Sequence, residues 1–98
     1  MSRLRDDLAA VVLEIPAGTV VSYAWVAAEA GRPGAARAVG QFLALDPGPL
    51  PWWRVVKSDG RFAESIAREQ AARLRAEGVE VVDGRRTKHP PLHPGPRA

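Results

Sequence analysis

A chain of 98 residues, 46% of them hydrophobic, has enough apolar side chains for one small domain with a single modest core. It contains no cysteine, which excludes disulfides, thiolate metal sites and any thiol nucleophile. No apolar run approaches the roughly 20 residues of a membrane-spanning helix, and no signal-peptide-like stretch follows the charged N-terminus. These features predict a soluble cytoplasmic protein.

The formal net charge of +3 is concentrated near the C-terminus. Residues 84–98 contain four basic residues and no acid, namely Arg85, Arg86, Lys88 and Arg97. The rest of the chain holds 10 basic and 11 acidic residues and carries −1. Overall basicity is therefore only a weak indication of nucleic-acid binding, and a DNA-facing surface on the body requires local placement of arginines.

Apolar residues recur at helical spacing from the N-terminus, where Ser2 is a candidate helix cap. The recurring residues are Leu4, Leu8, Val11, Val12 and Ile15. Residues 16–18, Pro-Ala-Gly, end this helix, and residues 19–21 form a short β-prone stretch. Ser22 is a candidate N-cap for a second helix, which continues to about Ala30 before a glycine.

A third helix is predicted over about 35–45, after the tight connection at 32–34. Two short helices joined by a glycine-containing turn are typical of a helix-turn-helix unit. The outward side of the third helix is small around Gly40, apart from Arg37 and Gln41. Small side chains let a helix approach a nucleic-acid groove while one arginine projects into the duplex. An ordinary amphipathic helix with a solvated arginine is the alternative.

Trp52 and Trp53 stand side by side after three closely spaced prolines. Residues 53–56 are predicted to form a strand, in which adjacent side chains point to opposite faces. One tryptophan then enters the core while the other faces a groove or pocket. A turn is predicted at 57–60.

A fourth helix is predicted over about 65–77, with one side formed by Ile66, Gln70, Leu74 and Glu77. Opposite charges four residues apart predict the pairs Glu69–Arg73 and Arg73–Glu77. Residues 79–82 are predicted as the last strand. The proline-rich segment 84–98 is expected to be a disordered tail, which leaves residues 1–83 as the domain. Its basic side chains either add salt-dependent phosphate affinity or only solubilise the chain end.

Three motifs, in order along the chain, resemble the C-terminal domain of the O6-alkylguanine-DNA alkyltransferases. Residues 15–23, IPAGTVVSY, are similar to the family's opening motif, and residues 31–40, GRPGAARAVG, to its recognition helix. Residues 51–56, PWWRVV, fall where the family carries Pro-Cys-His-Arg-Val-Val. Trp52 thus replaces the methyl-accepting cysteine, which marks the alkyltransferase-like members that usually read Pro-Trp-His-Arg. The resemblance covers about residues 4–82.

The resemblance implies an α+β winged-helix domain whose helix-turn-helix enters the minor groove with its second helix. In the family this domain flips a damaged guanine out of the stack. The implied function is binding of O6-alkylguanine in double-stranded DNA, without alkyl transfer, to flag the lesion for nucleotide excision repair proteins. We expect a monomer associated with the bacterial nucleoid, with no catalytic residue, cofactor, metal or membrane contact.

The resemblance also implies individual roles. The expected DNA-binding residues are Tyr23, Arg32, Ala36, Arg37, Gly40 and Ser58, and the expected lesion pocket consists of Tyr23, Trp52, Trp53, Arg54 and Ser58. Tyr23 matches the tyrosine that pushes at the 3′ phosphate, and Arg37 matches the arginine that fills the vacated stack. Ser58 matches a serine near the pocket. The structural alternatives are that Tyr23 covers the core edge, Ser58 only forms a turn, and Arg54 braces carbonyls or a carboxylate.

Trp52 cannot accept an alkyl group as a thiolate does. Its ring can instead contact the flipped base, which is worth about 1–3 kcal/mol, or it fills the vacated pocket and blocks it. Trp53 replaces the family histidine that takes part in activating the thiol. The resemblance also implies that Asp46, where related chains often carry asparagine, lies near DNA.

Other function classes stay open on these residues. A sequence-specific winged-helix regulator needs base-reading side chains on the third helix, and the surroundings of Gly40 offer few. A general DNA binder that has lost lesion recognition fits the departures at Trp53 and Asp46. An enzyme needs an acid pair or a histidine in the body, whereas His89 and His93 lie in the predicted tail.

Overall fold

The computed structural model describes residues 3–45 and 47–94. Three helices form the N-terminal half: α1 over Arg3–Leu13, α2 over Tyr23–Glu29 and α3 over Ala36–Leu45. None of the helices in the described ranges is long and apolar enough to cross a membrane. The capping role predicted for Ser2 and the DNA-proximal position predicted for Asp46 lie outside the described residues.

The C-terminal half begins at the tryptophan pair, with a 3-10 turn over Trp52–Arg54. The elements that follow are strand β2 (Val55–Val56), a second 3-10 turn (Glu64–Ile66), helix α4 (Ala67–Ala76), and strands β3 (Val81–Val82) and β4 (Arg86–Thr87). Strand β1 (Val21–Ser22) pairs in parallel with β2, with Val21 opposite Val55. Strands β3 and β4 form a separate antiparallel hairpin.

Ser22 joins the sheet to the helix-turn-helix unit. Its backbone is extended, and its Oγ accepts a hydrogen bond from the Trp25 backbone N–H at 3.0 Å, as an N-cap does. Gly31 ends the helix with a φ of +74°, a left-handed conformation that glycine adopts without strain. The predicted cap is therefore confirmed, and it places Tyr23 as the first residue of α2.

Two hydrophobic clusters hold these elements together. The larger one joins the first three helices to the parallel strands and contains Leu8, Val12, Ile15, Val21, Val26, Ala27, Val39, Leu43 and Val55. The smaller one packs α4 against the turn region and contains Val56, Phe62, Ala71 and Leu74. Adjacent residues of a strand face opposite sides, so Val55 enters one cluster and Val56 the other. Each fully buried valine contributes about 1.5–3 kcal/mol.

The structure corrects two predicted elements around the tryptophans and α4. Only Val55–Val56 is a strand; Trp53 and Arg54 belong to the 3-10 turn before it. Successive residues of a 3-10 turn are rotated by about a third of a turn, so the two tryptophans do not face opposite sides. The fourth helix begins at Ala67, after its own 3-10 turn, rather than at residue 65.

The predicted disorder of residues 84–98 is wrong for residues 84–94. Strand β4 lies within this segment, and 79–82 is therefore not the last strand. Further on, the Leu92 backbone pairs with β1: Ser22 N donates to Leu92 O at 2.8 Å and Leu92 N donates to Val20 O at 2.9 Å. Prolines around Leu92 favour extended backbone, which is the conformation that a sheet edge accepts. Residues 95–98 lie outside the described residues.

Candidate functional site

The outward side of α3 has the character that the sequence predicts. Val39 and Leu43 are buried, while Arg37 and Gln41 are exposed. A Cβ added at Gly40 would meet no atom within 4 Å, so the helix surface there is open. Small side chains around one exposed arginine leave this backbone accessible to a groove.

A pocket of about 540 Å³ lies between this helix and the two 3-10 turns. Its lining residues are Tyr23, Gly40, Leu43, Ala44, Pro47, Trp52, Ala63, Ser65, Ile66 and Glu69. The volume falls within the range of small-molecule pockets. Glu69 carries the only charge among these lining residues, so the pocket is mostly apolar with a carboxylate at one side. Tyr23, Gly40 and Trp52, three residues predicted from the sequence, meet here.

Trp52 is held in this wall by its neighbours. Its ring and the Trp53 ring meet edge to face, with centroids 6.0 Å apart and planes at 87°. The guanidinium carbon of Arg73 lies 4.7 Å from the Trp53 ring centre and 5.9 Å from that of Trp52. These contacts limit the orientations of Trp52, because both the second indole and a cation pack on it.

Trp53 and Arg54 do not line the pocket; they turn toward Glu77 at the end of α4. Trp53 Nε1 donates to Glu77 Oε2 at 2.8 Å. Arg54 Nη2 donates to the same oxygen at 2.6 Å, and Arg54 Nη1 donates to Ile15 O at 2.7 Å. Arg54 therefore braces a carboxylate and a carbonyl, which is the structural alternative considered for it above.

The Glu77 carboxylate accepts hydrogen bonds from two segments, the 3-10 turn Trp52–Arg54 and the loop that contains Gly18. Besides Arg54 and Trp53, the Gly18 backbone N–H donates to Oε1 at 3.0 Å. The hydrogen bonds from Arg54 lower the pKa of Glu77 to about 2, against partial burial, and Gly18 and Trp53 act in the same direction. The predicted Glu69–Arg73 pair is present at 2.9 Å, whereas the predicted Arg73–Glu77 pair is wrong because Glu77 binds Arg54.

Gln70 holds the other side of the 3-10 turn Trp52–Arg54, which we call the tryptophan turn. Its side-chain Nε2 donates to Trp53 O at 3.1 Å and to Val55 O at 3.0 Å. The residue is 1% exposed and its bond to Val55 O is buried, so Gln70 satisfies a carbonyl inside the protein as well as the partly buried one of Trp53. The backbone that carries Trp52 is thus held by α4 through Gln70 and Glu77.

The remaining predicted site residues lie around the pocket or away from it. Tyr23 is half-buried at its rim, and burial raises the pKa of its phenol, which keeps the hydroxyl protonated as a donor. Arg32 is exposed and pairs with Asp7 at 3.2 Å, while Ala36 is half-buried at the start of α3. Ser58 is exposed in a turn and does not line the pocket.

Ser65, Ile66 and Glu69 line the pocket and were missed from the sequence. The sequence assigns all three to one helix, whereas Ser65 and Ile66 belong to a 3-10 turn that has no separate sequence signature and Glu69 belongs to α4. Within residues 3–45 and 47–94, no group of three or more histidines or carboxylates gathers as a metal ion would require.

Residues 3–79 match the family described as the DNA-binding domain of 6-O-methylguanine DNA methyltransferase. A DNA base-flipping protein of Vibrio parahaemolyticus is 40% identical over 88 residues, which are 85% of this chain and 87% of that protein. Alkyltransferase-like protein 1 of Schizosaccharomyces pombe is 40% identical over 76 residues, which are 71% of this chain and 70% of that protein.

Solved structures agree with these matches. The S. pombe protein bound to damaged DNA containing O6-carboxymethylguanine superposes with a TM-score of 0.78 at 33% identity, over 90% of this chain and 89% of that one. The Mycobacterium tuberculosis O6-methylguanine methyltransferase gives a TM-score of 0.69 at 30% identity, over 79% of this chain but 49% of the enzyme. The chain therefore belongs to the DNA-binding-domain family of these methyltransferases, with the predicted α+β fold. Trp52 at the acceptor position makes it an alkyltransferase-like member.

Proposed function

We propose that this protein binds duplex DNA containing an O6-alkylguanine, turns the damaged nucleotide into the pocket walled by Trp52, and leaves the alkyl group in place. The observation that carries the proposal is that Trp52 and Tyr23 line one mostly apolar pocket in a chain without cysteine. An aromatic wall can contact a base, but it cannot accept an alkyl group.

DNA entry is assigned to α3. Its small outward side, with Ala36 and Gly40, lets the backbone approach the minor groove. Arg37 then extends into the duplex and replaces the flipped base, stacking and hydrogen bonding through its planar guanidinium. Tyr23 donates its phenolic hydroxyl to a phosphate beside the flipped nucleotide. Arg32 and Ser58 lie outside the pocket and contact the DNA backbone at its flanks.

Recognition within the pocket combines one aromatic surface with a few polar groups. Trp52 contacts the base or its alkyl group. The Glu69 carboxylate and the Ser65 hydroxyl lie on the lining and offer hydrogen-bond partners to the base edge. Trp53 and Arg54 act indirectly, because their bonds to Glu77 hold the backbone of the aromatic wall.

Because no bond to the alkyl group is made or broken, the lesion stays in the DNA and the protein remains bound to it in a persistent complex. Such a complex serves as a signal, which we assign to nucleotide excision repair proteins. We propose that the protein acts as a monomer in the cytoplasm, associated with the nucleoid. The relatives named DNA base-flipping proteins support the step in which the damaged nucleotide is turned out of the duplex.

The test compares equilibrium binding to a short duplex holding one O6-methylguanine with binding to the same duplex holding guanine, at fixed salt. We expect preference for the lesion, and we expect Arg37→Ala and Trp52→Ala to reduce it. A 2-aminopurine placed next to the lesion should brighten on binding, because unstacking relieves its quenching. Equal affinity for both duplexes would instead indicate a general DNA binder or regulator.

Mass spectrometry of the DNA and the protein after incubation tests the absence of transfer. The lesion should remain in the DNA at full yield, and the protein mass should not change. A mass gain of one methyl group on the protein would contradict the proposal.

A further inference from the structure

A second depression, of about 760 Å³, lies on the other side of the second 3-10 turn from the pocket of Trp52. Four basic side chains line it: Lys57, Arg61, Arg85 and Arg86. Residues 57 and 61 belong to the turn after β2, and residues 85 and 86 belong to the β3–β4 hairpin. We call these four residues the basic cluster.

Backbone hydrogen bonds fix the two halves of the basic cluster against each other. Phe62 N donates to Arg85 O at 2.9 Å, and Thr87 N donates to Gly60 O at 3.0 Å. Gly60 leaves no room for a side chain, since a Cβ there would lie 2.6 Å from Thr87 Oγ1. The turn therefore sits directly on β4, and the four cations share one surface.

The charge of this surface is incompletely balanced. Glu64 and Asp83 also line the depression, which leaves two positive charges in excess. The pair between Arg61 and Asp59 is long, at 3.5 Å, and well exposed, so it contributes little.

The position of the basic cluster indicates which anions it would contact. Its depression and the pocket of Trp52 share Ala63, and the 3-10 turn Glu64–Ile66 contributes Glu64 to the depression and Ser65 and Ile66 to the pocket. If a nucleotide enters the pocket as proposed, its flanking phosphates lie on the side of the basic cluster. Arg85 and Arg86 lie beyond residue 79, where the match to the family ends.

We propose that the basic cluster binds phosphates of the duplex that flank the flipped nucleotide and adds affinity that does not depend on base identity. The proposal rests on the proposed function for the placement of DNA. It gives the hairpin after residue 79 a role in holding the duplex, separate from lesion recognition in the pocket.

The test uses Arg85→Gln/Arg86→Gln, with Arg75→Gln/Lys88→Gln as a control of equal charge change. Arg75 lies on α4 and lines neither depression, and Lys88 pairs with Glu80 on the exposed hairpin. Affinities for lesion and plain duplexes are measured from 50 to 200 mM salt. Each lost phosphate contact lowers the slope of log affinity against log salt by about 0.9.

We expect the slope of the arginine variant to fall by about 1–2, with equal loss of affinity for both duplexes and unchanged lesion preference. Arg85→Lys/Arg86→Lys should restore the slope, because a phosphate contact needs only the charge. An unchanged slope, or a loss equal to that of the control, would overturn the proposal. Absence of lesion preference in the wild type would instead count against the proposed function, and the slopes would still decide on the basic cluster.

Discussion

Arg54 and Glu77 form a bidentate ion pair, with Arg54 Nη2 2.6 Å from Glu77 Oε2 and Arg54 Nε 3.0 Å from Oε1. The side chains are 15% and 13% exposed. Because Gly18 and Trp53 donate to the same carboxylate, the pair ties the loop before β1 and the tryptophan turn to the end of α4. The position of the pocket wall thus depends on the Glu77 carboxylate, although Glu77 does not line the pocket.

The first prediction concerns acid stability. The Glu77 pKa falls from its usual value near 4.5 to about 2 on folding. A depressed pKa stabilises the fold above the unfolded value and loses that effect as pH falls through the folded one. Between about pH 4.5 and pH 2 we therefore expect the wild type to lose about 2 kcal/mol from this group, allowing for solvent screening. Denaturant unfolding followed by circular dichroism across this range measures it.

Glu77→Gln should be less stable than the wild type at pH 7 and should show a flatter acid limb. Glu80→Gln is the matched control: Lys88 and His89 lower the pKa of Glu80, but that carboxylate is exposed on the hairpin. We expect no measurable loss of stability there. If the free energy of unfolding fell equally with pH in the wild type and in Glu77→Gln, the depressed pKa of Glu77 would not be the cause of the acid sensitivity.

The second prediction concerns Gln70, whose buried amide donates to the Trp53 carbonyl of the tryptophan turn and to the buried Val55 carbonyl of β2. In Gln70→Glu a carboxylate faces the same carbonyls, so the variant must bury a charge or take up a proton. The pKa of the new carboxyl group should rise. The variant's free energy of unfolding should fall further below that of the wild type from pH 5 to pH 7, to a difference of about 3 kcal/mol. Gln41→Glu, on the exposed side of α3, should show no such trend. A pH-independent difference would sink this account.

The helix-turn-helix could be predicted from the sequence because its signals are local. Ser22 as a cap and Gly31 as a stop each act within one turn of helix, and the structure confirms both ends of α2 to within a residue. The outward position of Arg37 followed from helical periodicity alone. Tyr23, Gly40 and Trp52 meet in one pocket because these local elements pack through a shared core.

The parts that could not be predicted depend on distant partners. Glu77 was expected to pair with Arg73 one turn away, but it binds Arg54, which is 23 residues distant in sequence. The β3–β4 hairpin was not predicted, although Asp-Gly at 83–84 is a dipeptide typical of tight hairpin turns. Both residues have the positive φ angles that such a turn requires. A proline-rich composition suggested disorder, whereas Leu92 gains order only from the edge of β1.

The third prediction concerns Arg37 as the residue that replaces the flipped base. Arg37→Ala should weaken binding to the lesion duplex about tenfold or more, since stacking on a base is worth about 1–3 kcal/mol. Arg37→Lys should recover only the charge and remain weak, because an ammonium cannot stack. Arg75→Ala, an exposed arginine on α4, is the control and should bind as the wild type does. Equal recovery by lysine would show that Arg37 contacts only phosphate.

The last prediction concerns restoring the missing chemistry. Trp52→Cys returns a thiol to the acceptor position, but its neighbour Trp53 cannot act as a base. An unperturbed thiol has a pKa of about 8.5 and is only a few per cent thiolate at neutral pH, so we expect negligible methyl transfer.

Trp52→Cys/Trp53→His should transfer faster than the single variant, because Trp53 Nε1 already lies 2.8 Å from Glu77 Oε2 and a histidine there gains an orienting carboxylate. A third change, Glu77→Gln, should remove that gain. Transfer is measured as tritiated methyl moved from O6-methylguanine DNA to protein, with the folded state of each variant checked by thermal unfolding. Equal rates for the single and double variants would show that the network around Glu77 supports the wall of the pocket and cannot be converted into a relay that activates a thiol.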